Sequence, residues 1–174
     1  MVHLAAEFGR LWRGADHKGL DVLTPRERGA GSKSNYSGNF GLGDFPMHTD
    51  LAHTRSPPNF ILLRCVKGYR EVETLLIDGN QLIETIGKDI LSRSLVSPRK
   101  VTEGRLPIYS ILSHVDDKSR IRWDQIFLKP ASRTGGTGFE EMAKAISEIE
   151  PIRISLAAPG DIWPAAGSVD TILR

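Results

Sequence analysis

The stretch Phe-Pro-Met-His-Thr-Asp-Leu at positions 45–51 is the part of the chain around which the rest is organised. It places His48 two residues before Asp50. In an extended strand, the side chains of residues i and i+2 point to the same face. We therefore expect the imidazole of His48 and the carboxylate of Asp50 to converge on one point.

This pair of side chains indicates a metal site. A neutral imidazole and a carboxylate, completed by a second imidazole from elsewhere, form the facial set of ligands that holds Fe(II) and leaves positions open for oxygen. A bare His-x-Asp also occurs in surface turns, where the aspartate caps a neighbouring backbone group. The flanking residues decide between the two interpretations.

The flanks follow a definite order. A glycine-rich approach at 37–44 leads into the box, Pro57-Pro58 precedes an apolar run at 60–66, and Glu-Thr-Leu-Leu-Ile-Asp follows at 73–78. With these elements the stretch 37–78 resembles the taurine dioxygenase-like (clavaminate synthase-like) family of Fe(II)- and 2-oxoglutarate-dependent oxygenases. Weaker matches extend the resemblance over most of the chain, namely Arg122-Trp123-Asp124, Lys129-Pro130 and Gly160-Asp161-Ile162.

The resemblance implies a fold, a cofactor and a set of site residues. The fold is mainly β with flanking helices (α+β), a double-stranded β-helix (jelly roll) that is incomplete or divergent at its C-terminal end. His48 and Asp50 would bind Fe(II), and Thr74 would bind a carboxylate of the cosubstrate 2-oxoglutarate. No catalytic residue beyond the metal ligands is implied. The implied reaction is hydroxylation of a small molecule, coupled to oxidative decarboxylation of 2-oxoglutarate.

The C-terminal part departs from the family pattern. The resemblance calls for a distal histidine as the third iron ligand, in a His-x-Arg sequence whose arginine corresponds to Arg174. The histidine position holds Ile172, and Pro164 interrupts the strand that Gly160-Asp161-Ile162 should open. Three interpretations stay open: a truncated or rearranged oxygenase, a divergent member with another ligand, and a non-catalytic relative. The loss of pattern after Ile162 favours the first.

The remaining histidines are weaker ligand candidates. His53 lies three residues past Asp50 and would face away from the pair on one strand. His114 ends an apolar run, which favours a polar residue at a strand end, although it is the first substitute ligand to consider. His3 and His17 lie in the N-terminal segment, where we expect solvated side chains.

Composition limits the classes of function. The chain has 174 residues with 40% hydrophobic and 25% charged residues, as is typical of a globular domain. The net charge of +2 does not favour nucleic acid or a membrane surface as a partner. The single cysteine, Cys65, excludes an intrachain disulfide, and in its apolar run we expect a buried thiol. With no apolar stretch long enough to span a membrane and no secretion signal, we expect a cytoplasmic protein with a small-molecule substrate.

The length of the chain predicts one domain over 1–174. It comprises a helix and glycine-rich lead-in at 1–44, a core at 45–162 and a divergent tail at 163–174. We predict helices over 2–12, 82–86, 90–95 and 137–149, the last opened by a capping box at Thr137-x-x-Glu140 after a polar loop at 131–138. We predict strands over 45–49, 60–66, 73–78, 106–115, 121–128 and 152–156, with the run at 60–66 buried on both faces and a short strand at 20–23.

Two other classes of function compete with an oxygenase. A jelly-roll ligand-binding or interaction module without redox chemistry accounts for the missing histidine, but it has no need of His48, Asp50 and Thr74 together. A hydrolytic metal enzyme that uses the same pair is disfavoured because nothing supplies a general base nearby. Substrate contacts are expected in the loop at 35–43, because loops carry selectivity in such folds.

Overall fold

A computed structural model of the protein describes residues 2–11, 20–100, 106–115, 118–156, 158–166 and 172–173. The chain forms two compact units, Met1–Pro46 and Met47–Arg174. The boundary lies next to the predicted start of the core at residue 45. Within the described residues, no helix is long and apolar enough to cross a membrane.

The first unit contains two short helices, α1 (Val2–Glu7) and α2 (Tyr36–Phe40). The predicted helix at 2–12 therefore forms in part, and it ends before Gly9, whose φ of 136° is unsuited to a helix. At α2, Asn35 is the N-cap, and its side-chain oxygen accepts the backbone N–H of Gly38 at 2.8 Å. The strand predicted at 20–23 does not form, and those residues are exposed.

The second unit is mixed α/β. Its elements in chain order are β1 (Phe60–Arg64), β2 (Glu73–Ile77), α3 (Gly79–Ile86), α4 (Lys88–Arg93), β3 (Leu95–Pro98), β4 (Tyr109–Ser110), β5 (Leu112–Val115), β6 (Lys118–Ile121), β7 (Leu128–Pro130), α5 (Arg133–Glu148), β8 (Ile152–Ser155), β9 (Ile162–Ala166) and β10 (Ile172–Leu173). The helix predicted at 90–95 ends at Arg93, and Leu95 begins β3. The strand predicted at 121–128 is wrong: Ile121 ends β6, Leu128 begins β7, and residues 122–127 form the irregular connection between them.

The described strands form four small antiparallel sheets with the orders β1-β9, β10-β2-β8, β4-β3-β7 and β5-β6. The sheets and the helices agree with the predicted combination of strands and flanking helices. A central layer of fully buried side chains joins α3, α4 and α5 to the strands. It includes Leu82, Leu91, Val96, Ile111, Leu112, Trp123, Leu128 and Met142.

Helix α5 begins four residues earlier than the capping box at Thr137 predicted. Ser132 is its N-cap, and the hydroxyl of Ser132 accepts the backbone N–H of Gly135 at 2.9 Å. Gly135 and Gly138 are required for packing, because a Cβ at these positions would overlap Leu95 and Ser94 respectively. Glycines that look like a loop in the sequence therefore bring a helix close to β3.

Two predictions about the outer strands are wrong. The strand β1 is not buried on both faces, since Phe60 is 36% exposed. It belongs to a two-stranded sheet, in which Leu62 lies opposite Pro164 of β9. Pro164 does not interrupt β9, because in a two-stranded sheet each strand has an open edge where a missing N–H breaks no ladder bond.

Candidate metal-binding site

His48 and Asp50 come together as their spacing predicted, but through a different local structure. No strand forms at 45–49; His48 is an isolated bridge residue, and Asp50 opens a turn. Nε2 of His48 lies 3.4 Å from Oδ1 of Asp50, and their side chains are 8% and 37% exposed. The imidazole is therefore buried, whereas the carboxylate is partly exposed to solvent.

The turn after the pair is strained. Leu51 has a φ of 55°, which makes it the one residue other than glycine with a positive φ in the described part of the chain. A left-handed backbone costs an L-residue about 1–2 kcal/mol. The carbonyl oxygen of Leu51 accepts the backbone N–H and the hydroxyl of Thr54, both at 2.9 Å. These two bonds stabilise the turn in a conformation that the sequence alone disfavours.

Thr49 ties the pair to the segment 122–124. Its N–H donates to the carbonyl oxygen of Trp123 at 2.8 Å, and its hydroxyl accepts the N–H of Trp123 at 3.0 Å. Trp123 is fully buried, and its ring lies 4.6 Å from the ring of Phe139 on α5. The residue between His48 and Asp50 is thereby connected to the core.

Arg122 binds the far side of the turn. Its Nη1 donates to the carbonyl oxygens of Ala52 and Thr54 at 2.8 and 2.6 Å, and its Nη2 donates to that of Arg55 at 3.0 Å. The guanidinium also lies 4.1 Å from the centre of the Tyr109 ring. Burial lowers the pKa of Arg122 to about 10, so that it stays charged at neutral pH.

Asp124 and His53 are two further ionisable residues of the segments 122–124 and 52–55. Oδ1 of Asp124 accepts the backbone N–H groups of Ile126 and Phe127 at 2.8 and 2.7 Å, which closes the turn between β6 and β7. Burial lowers the pKa of His53, although the charge of Asp124 opposes this shift. Nδ1 of His53 is buried without a hydrogen-bond partner in the described structure, and its ring meets that of Phe127 at 5.8 Å. His53 is therefore a neutral imidazole at pH 7, in a turn and not on a strand with Asp50.

The other predicted site residues lie on strands. Thr74 is half-buried on β2, opposite Ile154 of β8. On the same face of β2, Leu76 is buried against Ile61 and Ile154. Ile172, at the position where the resemblance calls for a histidine, lies opposite Ile77 on the other side of β2. The backbone of residue 172 therefore belongs to the same sheet as Thr74.

The remaining candidates are placed as follows. His114 is exposed on β5, and its Nδ1 lies 3.0 Å from the hydroxyl of Ser119 across the β5-β6 hairpin, as expected for a polar strand residue. His3 is exposed on α1, and His17 lies outside the described residues. Cys65 is buried, as predicted, and its thiol donates to the carbonyl oxygen of Leu156 at 3.1 Å.

His48 and Asp50 fit an iron ion as far as two ligands can. Ligand atoms about 2.1 Å from one ion, at neighbouring octahedral positions, are about 3 Å apart, so that a small movement of either side chain suffices. An imidazole and a carboxylate are ligand types that iron prefers. In the described ranges, from which 1, 12–19, 101–105, 116–117, 157, 167–171 and 174 are missing, no group of three His, Cys, Asp or Glu side chains could hold a metal ion.

The segment Arg122-Trp123-Asp124 matches the family pattern in sequence, but the sequence alone indicated no role for it. The structure shows that this segment holds the turn that carries Asp50. The signal available in the sequence was an arginine between the apolar residues Ile121 and Trp123, since arginine is rarely buried without partners.

No protein-family model matches the sequence, and no curated protein does so. Solved structures do match. The chain is similar to an asparagine oxygenase in complex with Fe(II), 2S,3S-3-hydroxyasparagine and succinate, with 14% identity, a TM-score of 0.57, and coverage of 76% of this chain and 44% of that one. It is also similar to the non-heme iron oxygenase OrfP in complex with Fe and alpha-ketoglutaric acid, with 12% identity, a TM-score of 0.57, and coverage of 78% and 45%.

These matches concern the fold. At such identities they establish that the described chain shares part of the fold of non-heme iron oxygenases, the fold group that the sequence resemblance indicated. The chain spans less than half the length of the solved structures that it matches.

Proposed function

We propose that this chain has the jelly-roll architecture of an Fe(II)- and 2-oxoglutarate-dependent dioxygenase and contains part of its metal site. His48 and Asp50 are the iron ligands, and Thr74 binds a carboxylate of 2-oxoglutarate. The observation that carries this proposal is the 3.4 Å approach of Nε2 of His48 to Oδ1 of Asp50 on a strained turn. Backbone strain of this kind persists where the surroundings enforce it, and it is common at functional sites.

The burial of His48 and the partial exposure of Asp50 support their proposed roles, whereas the proposed role of Thr74 rests on the family resemblance. A metal ion held by the pair would be shielded from water by the buried His48 on one side and would stay accessible on the side of the partly exposed Asp50. The Thr74 hydroxyl orients the cosubstrate by donating a hydrogen bond to its carboxylate. Fe(II) with 2-oxoglutarate supplies, when bound, the oxidation of an unactivated C–H bond. We propose a small molecule as the substrate, and the oxygenases with hydroxylated asparagine and arginine in their structures make free amino acids the first class to test.

Turnover by the chain itself is proposed to be feeble, because position 172 holds an isoleucine. Loss of a residue that hydrogen-bonds a metal ligand lowers the metal affinity by at least ~10-fold, and loss of the ligand itself costs at least as much. The test is succinate formation from 2-oxoglutarate with Fe(II), ascorbate and a panel of L-amino acids, with His48→Ala as the blank. We expect succinate barely above the blank. Robust turnover abolished by His48→Ala would refute the proposal of feeble activity. His114 would then be the first residue to examine as a third ligand.

A non-catalytic ligand-binding module is the second candidate. It is favoured by the lack of a group of three metal-ligating side chains among the described residues. Calorimetry with Co(II) separates the two candidates, since a binding module needs no metal at His48. Equal Co(II) binding by the wild type and His48→Ala would support the module.

A further inference from the structure

The guanidinium of Arg122 is buried and yet has no carboxylate partner in the described part of the protein. Arg122 is 5% exposed, and the ion pairs found there join His48 to Asp50 and Arg153 to Glu73. A buried charge is costly unless hydrogen bonds compensate for it. Three backbone carbonyls and the Tyr109 ring provide this compensation.

All three carbonyls belong to one short segment, residues 52–55, which begins two residues after Asp50. The neighbouring residue Trp123 holds Thr49 on the other side of Asp50. Arg122 and Trp123 therefore fix the backbone on both sides of the carboxylate. Between these two attachments lies Leu51, whose positive φ would relax if the segment were released.

Arginine suits this place for a geometric reason. Its planar fork directs several N–H groups in fixed directions, and here two nitrogens serve three oxygens. A lysine ammonium keeps the charge, but as a single nitrogen it cannot reproduce the fork. An exchange of arginine for lysine therefore separates the geometry of the bonds from the charge.

We propose that Arg122 is a positioning residue for the metal pair. By holding residues 52–55 it sets the distance between the Asp50 carboxylate and the His48 imidazole, and hence the affinity of the pair for a divalent cation. This inference rests on the proposed function, because it takes His48 and Asp50 as ligands.

The test compares Arg122→Lys and Arg122→Met with Arg120→Lys and Arg120→Met. Arg120 is a matched control on β6, where its Nη2 donates to Oδ1 of Asn59 at 2.6 Å and not to the turn. Two quantities are measured on the folded protein, with folding checked by circular dichroism. They are the Kd for Co(II), from calorimetry and the visible absorption of the bound ion, and the rate of amide hydrogen exchange in residues 50–55.

We expect both Arg122 variants to raise the Kd for Co(II) by at least ~10-fold and to change the Co(II) spectrum. A loss of this size is typical when a residue that orients the metal ligands is removed. Exchange in residues 50–55 should accelerate, whereas exchange in α5 should not change. The Arg120 variants should stay within about twofold of the wild type for both quantities. If the Arg122 variants do not fold, Tyr109→Leu removes the ring beside the guanidinium, and the same changes are expected in weaker form.

Different results overturn different claims. Folded Arg122→Lys, or folded Tyr109→Leu in its place, with wild-type Co(II) affinity and spectrum would overturn the positioning role alone, because a purely structural arginine changes stability and leaves the ligands of the folded state unaltered. Wild-type protein that binds Co(II) no better than His48→Ala would overturn both this inference and the proposed function.

Discussion

The segment 48–55 and the segment 160–173 differ in how the rest of the protein holds them. The first is irregular and strained at Leu51, but it is fixed by a buried cation and by hydrogen bonds to the segment 122–123. The described parts of the second, residues 160–166 and 172–173, are regular: Gly160 turns the chain, β9 pairs with β1, and β10 pairs with β2. In the first segment the side chains of His48 and Asp50 lie close together, and in the second an isoleucine occupies position 172, where the resemblance calls for a histidine. Regular secondary structure in a segment therefore does not indicate that the segment carries the expected ligand residues.

Removal of the core anchor of the first segment should have the largest effect. Trp123→Ala would leave a cavity beside Phe139 and free Thr49 to move, so that we expect the free energy of unfolding to fall by about 3–5 kcal/mol. Urea denaturation measures this change. Phe60→Ala is the control on β1, the strand that pairs with β9 of the second segment. An equal loss of unfolding free energy in this variant would contradict the contrast between the two segments.

Restoring a histidine to the second segment should have the next largest effect. Ile172→His should strengthen Co(II) binding by at least ~10-fold if position 172 faces the pair, because a third ligand completes the facial set. Calorimetry on the purified chain measures the affinity. Leu173→His is the matched control, since adjacent strand residues point to opposite faces. An equal gain from both variants would show that the register of β10 does not matter.

Thr74→Val tests the cosubstrate site, with a moderate effect. The exchange removes one hydroxyl from β2 at nearly constant shape, and loss of a hydrogen bond to a charged carboxylate corresponds to about 1.5–3 kcal/mol. Calorimetry should show weaker 2-oxoglutarate binding with little change in the urea midpoint. Unchanged affinity would remove Thr74 from the site.

His53 should make the first segment sensitive to pH. Its folded-state pKa is lowered by burial, so that below the unfolded pKa of about 6.5 the unfolded chain takes up a proton that the folded chain resists. Stability from this residue is therefore present at higher pH and is lost as the pH falls through 6.5. Urea midpoints at pH 8 and pH 5.5 should differ less in His53→Leu than in the wild type. An equal difference would assign the pH dependence to other groups.

Pro164→Ala should have the smallest effect. Because Pro164 lies in a two-stranded sheet, the exchange is expected to change the free energy of unfolding by less than about 0.5 kcal/mol. A large gain in stability on urea denaturation would mean that Pro164 strains β9 after all.

The sequence alone determined the features that depend on local chemistry. His48 and Asp50 approach each other as expected, although in a turn and not in the strand from which the i, i+2 spacing predicted it. The pattern of apolar residues located β1, β2 and β8. The resemblance indicated the fold group that solved structures of iron oxygenases share. Gly87 correctly marked the end of α3, since its φ of 99° suits glycine.

Tertiary structure decided those features in which contacts between distant segments override the local conformational preference of the residues. Gly135 and Gly138 read as a loop in the sequence, but both lie in α5, where a Cβ would overlap Leu95 at the start of β3 and Ser94 at the end of α4. Position 51 adopts a left-handed backbone that leucine disfavours, and it does so because Thr54 and Arg122 bind the carbonyls of the turn. Arg122 lies about seventy residues from its partners in the chain, and no local pattern can reveal a contact that only the folded core creates.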